Sequence, residues 1–243
     1  MRAWHSPQRG ASFRSGSHDA TRTLRAGNVT SNAAPRRTRV KICGITRADD
    51  AAAAVECGAG ALGFVLWPSS PRCIDPYRAR AIAATLPPFV TAVGVFVNQP
   101  AEYVTQVAAL VRLGAVQLHG DETVADVAGI ATPAIKAVTV ADPQLSVWPS
   151  RTLLLVDVHD PEKRGGTGRT VDWSAAARIA AQRRILLAGG LTPENVGDAI
   201  ACVRPFGIDV SSGVETSPGV KDHRRLRALF EAVNGTSAFA TRP

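Results

Sequence analysis

Val40-Lys41-Ile42-Cys43-Gly44-Ile45-Thr46 is a short apolar run, rich in β-branched side chains, that breaks at a glycine. Such side chains suit a pleated strand, so the run reads as a strand over Val40–Cys43 followed by a turn. A doubly wound dinucleotide fold would place a G-x-G-x-x-G turn after its first strand, and Cys43-Gly44-Ile45-Thr46 is not one. The texture recurs about eight times. Further strands are expected at Ala61–Leu66, Val90–Val97, Ala115–Leu118, Ala134–Val140, Leu153–Asp157, Ile185–Ala188 and Ile208–Val210. Helices are expected near Asp49–Cys57, Pro76–Leu86, Ala101–Leu113, Thr123–Ile130, Asp172–Gln182, Pro193–Ala201 and Asp222–Val233. Ala141–Ser150 carries Pro143 and Pro149, so a helix there is short or absent. Continuous apolar strands alternating with helices indicate a parallel sheet buried on both faces. Eight βα units of about 25 residues fit a closed (β/α)8 barrel, the TIM-barrel architecture, near its lower size limit. The fold class is therefore α/β, with one barrel over residues 39–243.

Composition supports a large core. The chain has 243 residues, 45% of them apolar and 20% charged, which excludes global disorder. No apolar run approaches the roughly 18 residues that span a bilayer. Residues 1–38 are different: rich in Arg, Ser, Thr, Gly and Asn, without apolar periodicity, they read as a disordered extension. Residues 1–39 carry +7 of the chain's net +8, leaving +1 for residues 40–243. The pI of 10.0 therefore reports on the tail, and neither a nucleic-acid nor a membrane partner is expected of the body. The Arg- and Ser-rich tail is similar to a transit peptide and lacks the apolar segment of a secretory signal; an extension without function is the other reading. Cys43, Cys57, Cys73 and Cys202 form no C-x-x-C pair and no regular spacing with His. Neither a structural zinc site nor a disulfide framework is expected, and a reducing, cytoplasmic setting fits.

In such a barrel the chemistry sits at the C-terminal mouth, where the strands end. Those ends supply Cys43, the Trp67–Arg72 loop, Asn98, His119, Asp157, Gly189-Gly190 and Ser211-Ser212-Gly213. Glycines let backbone N–H groups approach an anion, and helix starts add partial positive charge. The two Gly-rich loops after strands seven and eight, with Thr192 as N-cap and Pro193 at N1, match a phosphate site. Cys43 reads either as a base whose thiol is acidified by nearby dipoles or as a small packed hydrophobe. Asp157 can donate a proton. Arg72 can fork a carboxylate, with Trp67 flanking an aromatic ring, or sit solvated at the surface. His119 can contact substrate or cap its own loop. Arg164-Gly165-Gly166-Thr167-Gly168-Arg169 has the length and glycine content of a closing lid.

Val40–Thr46 resembles the opening signature of phosphoribosylanthranilate isomerases. So do Gly63-Phe64 with Ser70-Pro71-Arg72, Val93-Gly94-Val95-Phe96-Val97-Asn98 and Val116-Gln117-Leu118-His119-Gly120. Leu155-Val156-Asp157, Gly165–Gly168 with Asp172-Trp173, Ala188-Gly189-Gly190-Leu191 and Asp209–Glu215 continue the likeness, in order, across residues 39–234. The resemblance implies a cofactor-free Amadori rearrangement in tryptophan biosynthesis, from N-(5-phosphoribosyl)anthranilate to 1-(2-carboxyphenylamino)-1-deoxyribulose 5-phosphate. It implies Asp157 as the general acid that opens the ring, Cys43 as the base at C2, and Arg72 on the anthranilate carboxylate. The phosphate would lie on Gly189, Gly190, Ser211, Ser212 and Gly213, with His119 beside the substrate. The expected partner is this small phosphorylated molecule, and the expected assembly a monomer or a homodimer.

Rival phosphate-binding barrels fit less well. An indole-glycerol-phosphate synthase needs a catalytic Lys at a strand end; Lys41 reads as out of phase with Cys43's neighbours, and Lys136 lies in mid-strand. A ribulose-phosphate epimerase wants metal-binding His and Asp at several strand ends, where only His119 and Asp157 stand. A barrel that binds a phosphorylated metabolite without turnover would not need the Cys43, Asp157 and Arg72 set. RNA binding would need aromatic and basic residues interleaved.

Overall fold

Eight parallel strands pair in chain order and close on themselves. They are β1 (Arg39–Cys43), β2 (Ala61–Val65), β3 (Thr91–Phe96), β4 (Ala115–Leu118), β5 (Ala134–Val138), β6 (Leu153–Val156), β7 (Ile185–Leu187) and β8 (Gly207–Val210). Closure is the β1–β8 pairing, with Val40 opposite Ile208 and Ile42 opposite Val210. A computed structural model describes residues 38–157 and 171–239 of the chain, and side chains to Thr236. Met1–Arg37 of the expected extension and the expected lid at Arg164–Arg169 lie outside the described residues. Each expected strand is present to within two residues at either end.

The helices are α1 (Ala48–Cys57), α2 (Pro76–Ala83), α3 (Ala101–Val111), α4 (Val124–Ala128), α5 (Trp173–Ala180), α6 (Val196–Val203) and α7 (His223–Phe239). Their starts follow local chemistry. Asp75 accepts the Tyr77 and Arg78 N–H groups ahead of Pro76, and Asp172 accepts those of Ser174 and Ala175. The α6 start differs from the sequence expectation. Helix α6 begins at Val196 with Asn195 as N-cap, while Thr192–Asn195 form a preceding turn in which the Thr192 hydroxyl accepts the Glu194 N–H. Thr192 caps a turn, and Pro193 sits before the helix instead of inside it.

No helix forms after β5, as the two prolines require. The Arg183 guanidinium instead pins that segment through the carbonyls of Leu145, Trp148, Pro149 and Thr152, at 2.8–3.3 Å. Trp148 is thereby buried in the shell where a helix would have packed.

Strand alternation sorts the core into layers. Ile42, Leu62, Phe64, Phe96, Leu118, Leu154, Ile185, Leu187 and Ile208 point outward, where the helices cover them completely. Full burial of such side chains contributes about 1.5–3 kcal/mol each. Val93, Ala115, Ile135, Leu155, Leu186 and Ala188 fill the barrel interior. Above them Cys43, Val65 and Val95 form a smaller layer with Trp67, the floor of the mouth.

Beyond β8 the chain adds a feature absent from the sequence reading. A 3-10 turn at Ser212–Val214 leads into a two-stranded hairpin, β9 (Glu215–Ser217) and β10 (Val220–Lys221). Its tip is tied across the mouth by the Thr46 hydroxyl, which donates to the Gly219 carbonyl at 2.5 Å.

Candidate active site

Cys43 ends β1 at the floor of a cavity of about 360 Å³ in the C-terminal mouth. Gly44 follows at φ +77, a left-handed conformation that turns the chain sharply away from the strand. A Cβ at Gly44 would stand 2.7 Å from the Arg72 Cδ, so the glycine also lets the arginine stem lie against the turn. Burial pushes the Cys43 thiol above its ordinary value, with Lys41 and Lys221 acting against that effect and Asp209 adding to it. The sequence expectation of an acidified thiol is thus reversed: desolvation outweighs the nearby cations.

Arg72 reaches the same cavity from the loop between β2 and α2. Its Nε and Nη2 already grip Glu215, with Nη2 to Oε2 at 2.7 Å and Nε to Oε1 at 3.0 Å. That leaves Nη1 and the second Nη2 hydrogen for another carboxylate. Glu215 opens β9 and also accepts from the Lys221 Nζ at 2.7 Å and the Gly219 N–H at 3.2 Å. Burial alone would raise its carboxyl, but Arg72 and Lys221 hold it below the usual range. The Lys221 Nζ donates in turn to the Cys43 carbonyl at 2.5 Å. The hairpin therefore fixes the arginine and the cysteine strand end together.

Asp157 follows β6, its N–H bonded to the Val138 carbonyl at 3.0 Å. His119 follows β4 and approaches it, Nε2 to Oδ2 at 3.4 Å. The Gln117 side-chain amide lies 2.8 Å from His119 Nδ1 and so holds the ring with Nε2 facing Asp157. His119 therefore reaches the cavity and does not cap its loop. Asn98, the other polar strand end, faces away from the cavity; its backbone N–H donates to Glu122 at 2.7 Å and its side chain accepts the Asp121 N–H at 2.6 Å.

The two Gly-rich loops lie side by side. Gly189 and Gly190 adopt φ +84 and +62, and both line the cavity with Ser211 and Ser212. Gly213 does not line it; it packs against the backbone of Leu191 and Thr192, where any Cβ would collide. Arg225 of α7 joins the loops, donating from Nε to the Gly213 carbonyl at 2.8 Å and from Nη2 to Glu194 at 3.1 Å.

Cys43, Arg72, His119, Asp157, Gly189, Gly190, Ser211 and Ser212 thus share one cavity, and Gly213 buttresses it. Four residues without a role in the sequence reading stand with them: Gln117 and Asp209 line the cavity, and Glu215 and Lys221 lie behind Arg72 and Cys43. Lys41 is a correction as well. It lies two residues from Cys43, so strand alternation puts both on the interior face, and its Nζ pairs with Asp209 at 2.8 Å. Lys136 points outward from β5 to the Gly120 carbonyl and Glu122.

A closed (β/α)8 barrel whose mouth gathers a thiol, a His–Asp pair, a fixed arginine and two glycine loops is built as a small-molecule enzyme. Residues 40–232 match the family model for N-(5'-phosphoribosyl)anthranilate (PRA) isomerase. The chain belongs to the phosphoribosylanthranilate isomerase family. It is 48% identical over 200 residues to the isomerase of Pseudomonas fluorescens (strain Pf0-1), covering 80% of this chain and 98% of that one. The Trichlorobacter lovleyi isomerase is 50% identical over 198 residues, covering 79% and 96%. The crystal structure of phosphoribosyl anthranilate isomerase from Thermotoga maritima superposes with a TM-score of 0.76 at 45% identity, covering 82% of this chain and 99% of that one. An isomerase in complex with reduced 1-(o-carboxyphenylamino)-1-deoxyribulose 5-phosphate gives 0.73 at 44% identity, with the same coverage.

Proposed function

We propose that the chain isomerises N-(5-phosphoribosyl)anthranilate to 1-(2-carboxyphenylamino)-1-deoxyribulose 5-phosphate in tryptophan biosynthesis. The observation that carries this reading is the shared cavity: Cys43 and Asp157, from strand ends three strands apart, face one space with Arg72 and both glycine loops. Asp157 gives its proton to the furanose oxygen, the C1–O bond breaks, and the nitrogen lone pair forms a C1=N iminium. The iminium acidifies the C2–H. Cys43 takes that proton as a thiolate, and the resulting enaminol tautomerises to the aminoketose, gaining a proton at C1 and losing the one on the C2 hydroxyl. His119, held by Gln117, supports the Asp157 carboxyl. Arg72, fixed by Glu215, presents its remaining N–H groups to the anthranilate carboxylate. Gly189, Gly190, Ser211 and Ser212 bind the phosphate, with Gly213 as their brace.

The test is turnover of freshly made phosphoribosylanthranilate, followed as loss of anthranilate fluorescence. Wild type turns over; Cys43→Ala and Asp157→Asn each fall by about 10²–10⁴-fold. Near wild-type turnover in Cys43→Ala would make Cys43 a packing residue.

The proposed organisation is a barrel over residues 39–243 preceded by an extension at residues 1–38, in the cytoplasm. No helix among the described residues is long and apolar enough to cross a membrane. A monomer or a homodimer is proposed; the Thermotoga maritima isomerase is described as dimeric, with monomers generated from it.

A further inference from the structure

Lys41 is a buried cation that the chemistry above leaves unused. Its side chain is 3% exposed and its Nζ is 2.8 Å from Asp209 Oδ1, a pair enclosed in the barrel just beneath Cys43. A Cβ on Gly63 would stand 2.8 Å from the Cys43 Sγ and 3.0 Å from the Lys41 Nζ. Only a glycine on β2 leaves room for the thiol and the ammonium to face each other. Alternation along β1 makes this unavoidable, because residues 41 and 43 share a face.

Resting on the reading of Cys43 as the base, we propose that Lys41, anchored by Asp209, is a positioning residue that promotes ionisation of Cys43. Among the described residues the charged groups around the thiol are few. Lys41 comes from its own strand and Asp209 from β8. Lys221 reaches it from β10, and the Arg72 stem crosses Gly44. Strand β2, packed on its other side, offers Ala61, Gly63 and Val65, all uncharged. Among these groups Lys41 is the strongest influence opposing burial of the thiolate, and Asp209 acts the other way. Burial also works against charge on Lys41 itself, but Asp209 and Cys43 together outweigh it and keep the ammonium protonated. Asp209 therefore has two effects: it retains the cation, and it competes with the thiolate for it.

The test is the pH dependence of iodoacetamide labelling at Cys43 in the full chain, read by mass spectrometry of the Cys43 peptide. Lys41→Met should move the labelling midpoint up by about one pH unit, an approximately tenfold loss of labelling at a fixed pH below it. Asp209→Asn should move it down, because the thiolate becomes the nearest anion to Lys41. Opposite signs are the signature; a general loosening of the barrel would move both variants the same way. An unchanged midpoint in either variant, or shifts of one sign in both, overturns the proposal. Each single change leaves a buried charge, so circular dichroism precedes labelling. If either single variant fails to fold, Lys41→Met/Asp209→Asn carries the test, and its midpoint must lie above wild type. Labelling needs no turnover, so an active Cys43→Ala protein would remove the base assignment and leave this coupling standing.

Discussion

Gly213→Ala tests whether the two loops after β7 and β8 are one anion cradle. A Cβ at Gly213 would overlap the Leu191 carbonyl oxygen and stand 2.9 Å from its carbon and 3.1 Å from the Thr192 Cα. All three are backbone atoms, so no rotamer change relieves the clash, and the loops must part by roughly 1 Å at an overpacking cost of about 1–3 kcal/mol. The separation matters more than that cost. A phosphate held at once by Gly189-Gly190 and by Ser211-Ser212 would lose one charge-assisted hydrogen bond, worth about 1.5–3 kcal/mol. At 1.4 kcal/mol per decade, inorganic phosphate should bind about 10–100-fold more weakly, and the Michaelis constant should rise with it. Calorimetric titration with phosphate, beside a thermal melt, reads both quantities. Gly235→Ala in α7 is the control: a Cβ there meets nothing within 4 Å, so phosphate binding stays unchanged and stability holds or improves. Wild-type phosphate affinity in a destabilised Gly213→Ala protein would put the anion elsewhere. Wild-type affinity with a wild-type melt would refute the packing argument as well.

Arg72→Ala should raise the Michaelis constant more than it lowers turnover, and Arg72→Lys should recover little, since an ammonium cannot both grip Glu215 and present a planar edge to substrate; steady-state kinetics at low substrate decide this. Glu215→Gln should destabilise by about 2–3 kcal/mol, because it breaks a buried anion shared by Arg72 and Lys221. Its pH dependence has a fixed sign: the Glu215 carboxyl is held below its ordinary value, so its stabilisation is full above the unfolded pKa near ~4.3 and is lost as pH falls through the folded one. Chemical unfolding at pH 7 and pH 3.5 should therefore show the wild-type advantage over Glu215→Gln shrinking on the acid side; a constant difference would contradict the assignment. Arg183→Ala should cost about 2–3 kcal/mol by releasing four backbone carbonyls of the helix-free segment after β5, with a lowered Tm and increased proteolysis between residues 141 and 152 as the readout.

The barrel was legible because its strands are short, apolar and bounded by polar turns, so both the period and the breaks stand in the sequence. The cavity residues were legible for a related reason: a parallel barrel delivers every strand's C-terminal end to one rim. Contacts between remote segments were not. Glu215 lies 143 positions from Arg72, and Lys221 lies 178 from Cys43. Nothing local marks either pair, and the hairpin that joins them is only five strand residues long. Lys41 was within reach, since its two-residue spacing from Cys43 is enough to place both on one face. The cysteine's ionisation could not be read from its neighbours' charges, because burial, a property of the folded barrel, is the larger influence.

Buried ion pairs rarely add net stability, since desolvation offsets most of their attraction. The floor of this mouth nevertheless encloses Lys41 with Asp209 and Lys221 with Glu215, each pair at 2.7–2.8 Å. Their common neighbour is the end of β1. Lys221 holds the Cys43 carbonyl, Lys41 lies beneath its thiol, and Arg72 stacks on the turn that follows. An apolar floor of equal volume would fold as well or better, but it would leave a buried thiol with no cation to favour its ionised form. Charges fixed by the fold need no reorganisation when a proton moves, which is where electrostatic preorganisation contributes to rate. The same logic places Glu215 beside Arg72: the guanidinium is oriented before any carboxylate arrives, so binding does not have to order it. Both pairs thus trade stability for a mouth whose charges are already in place.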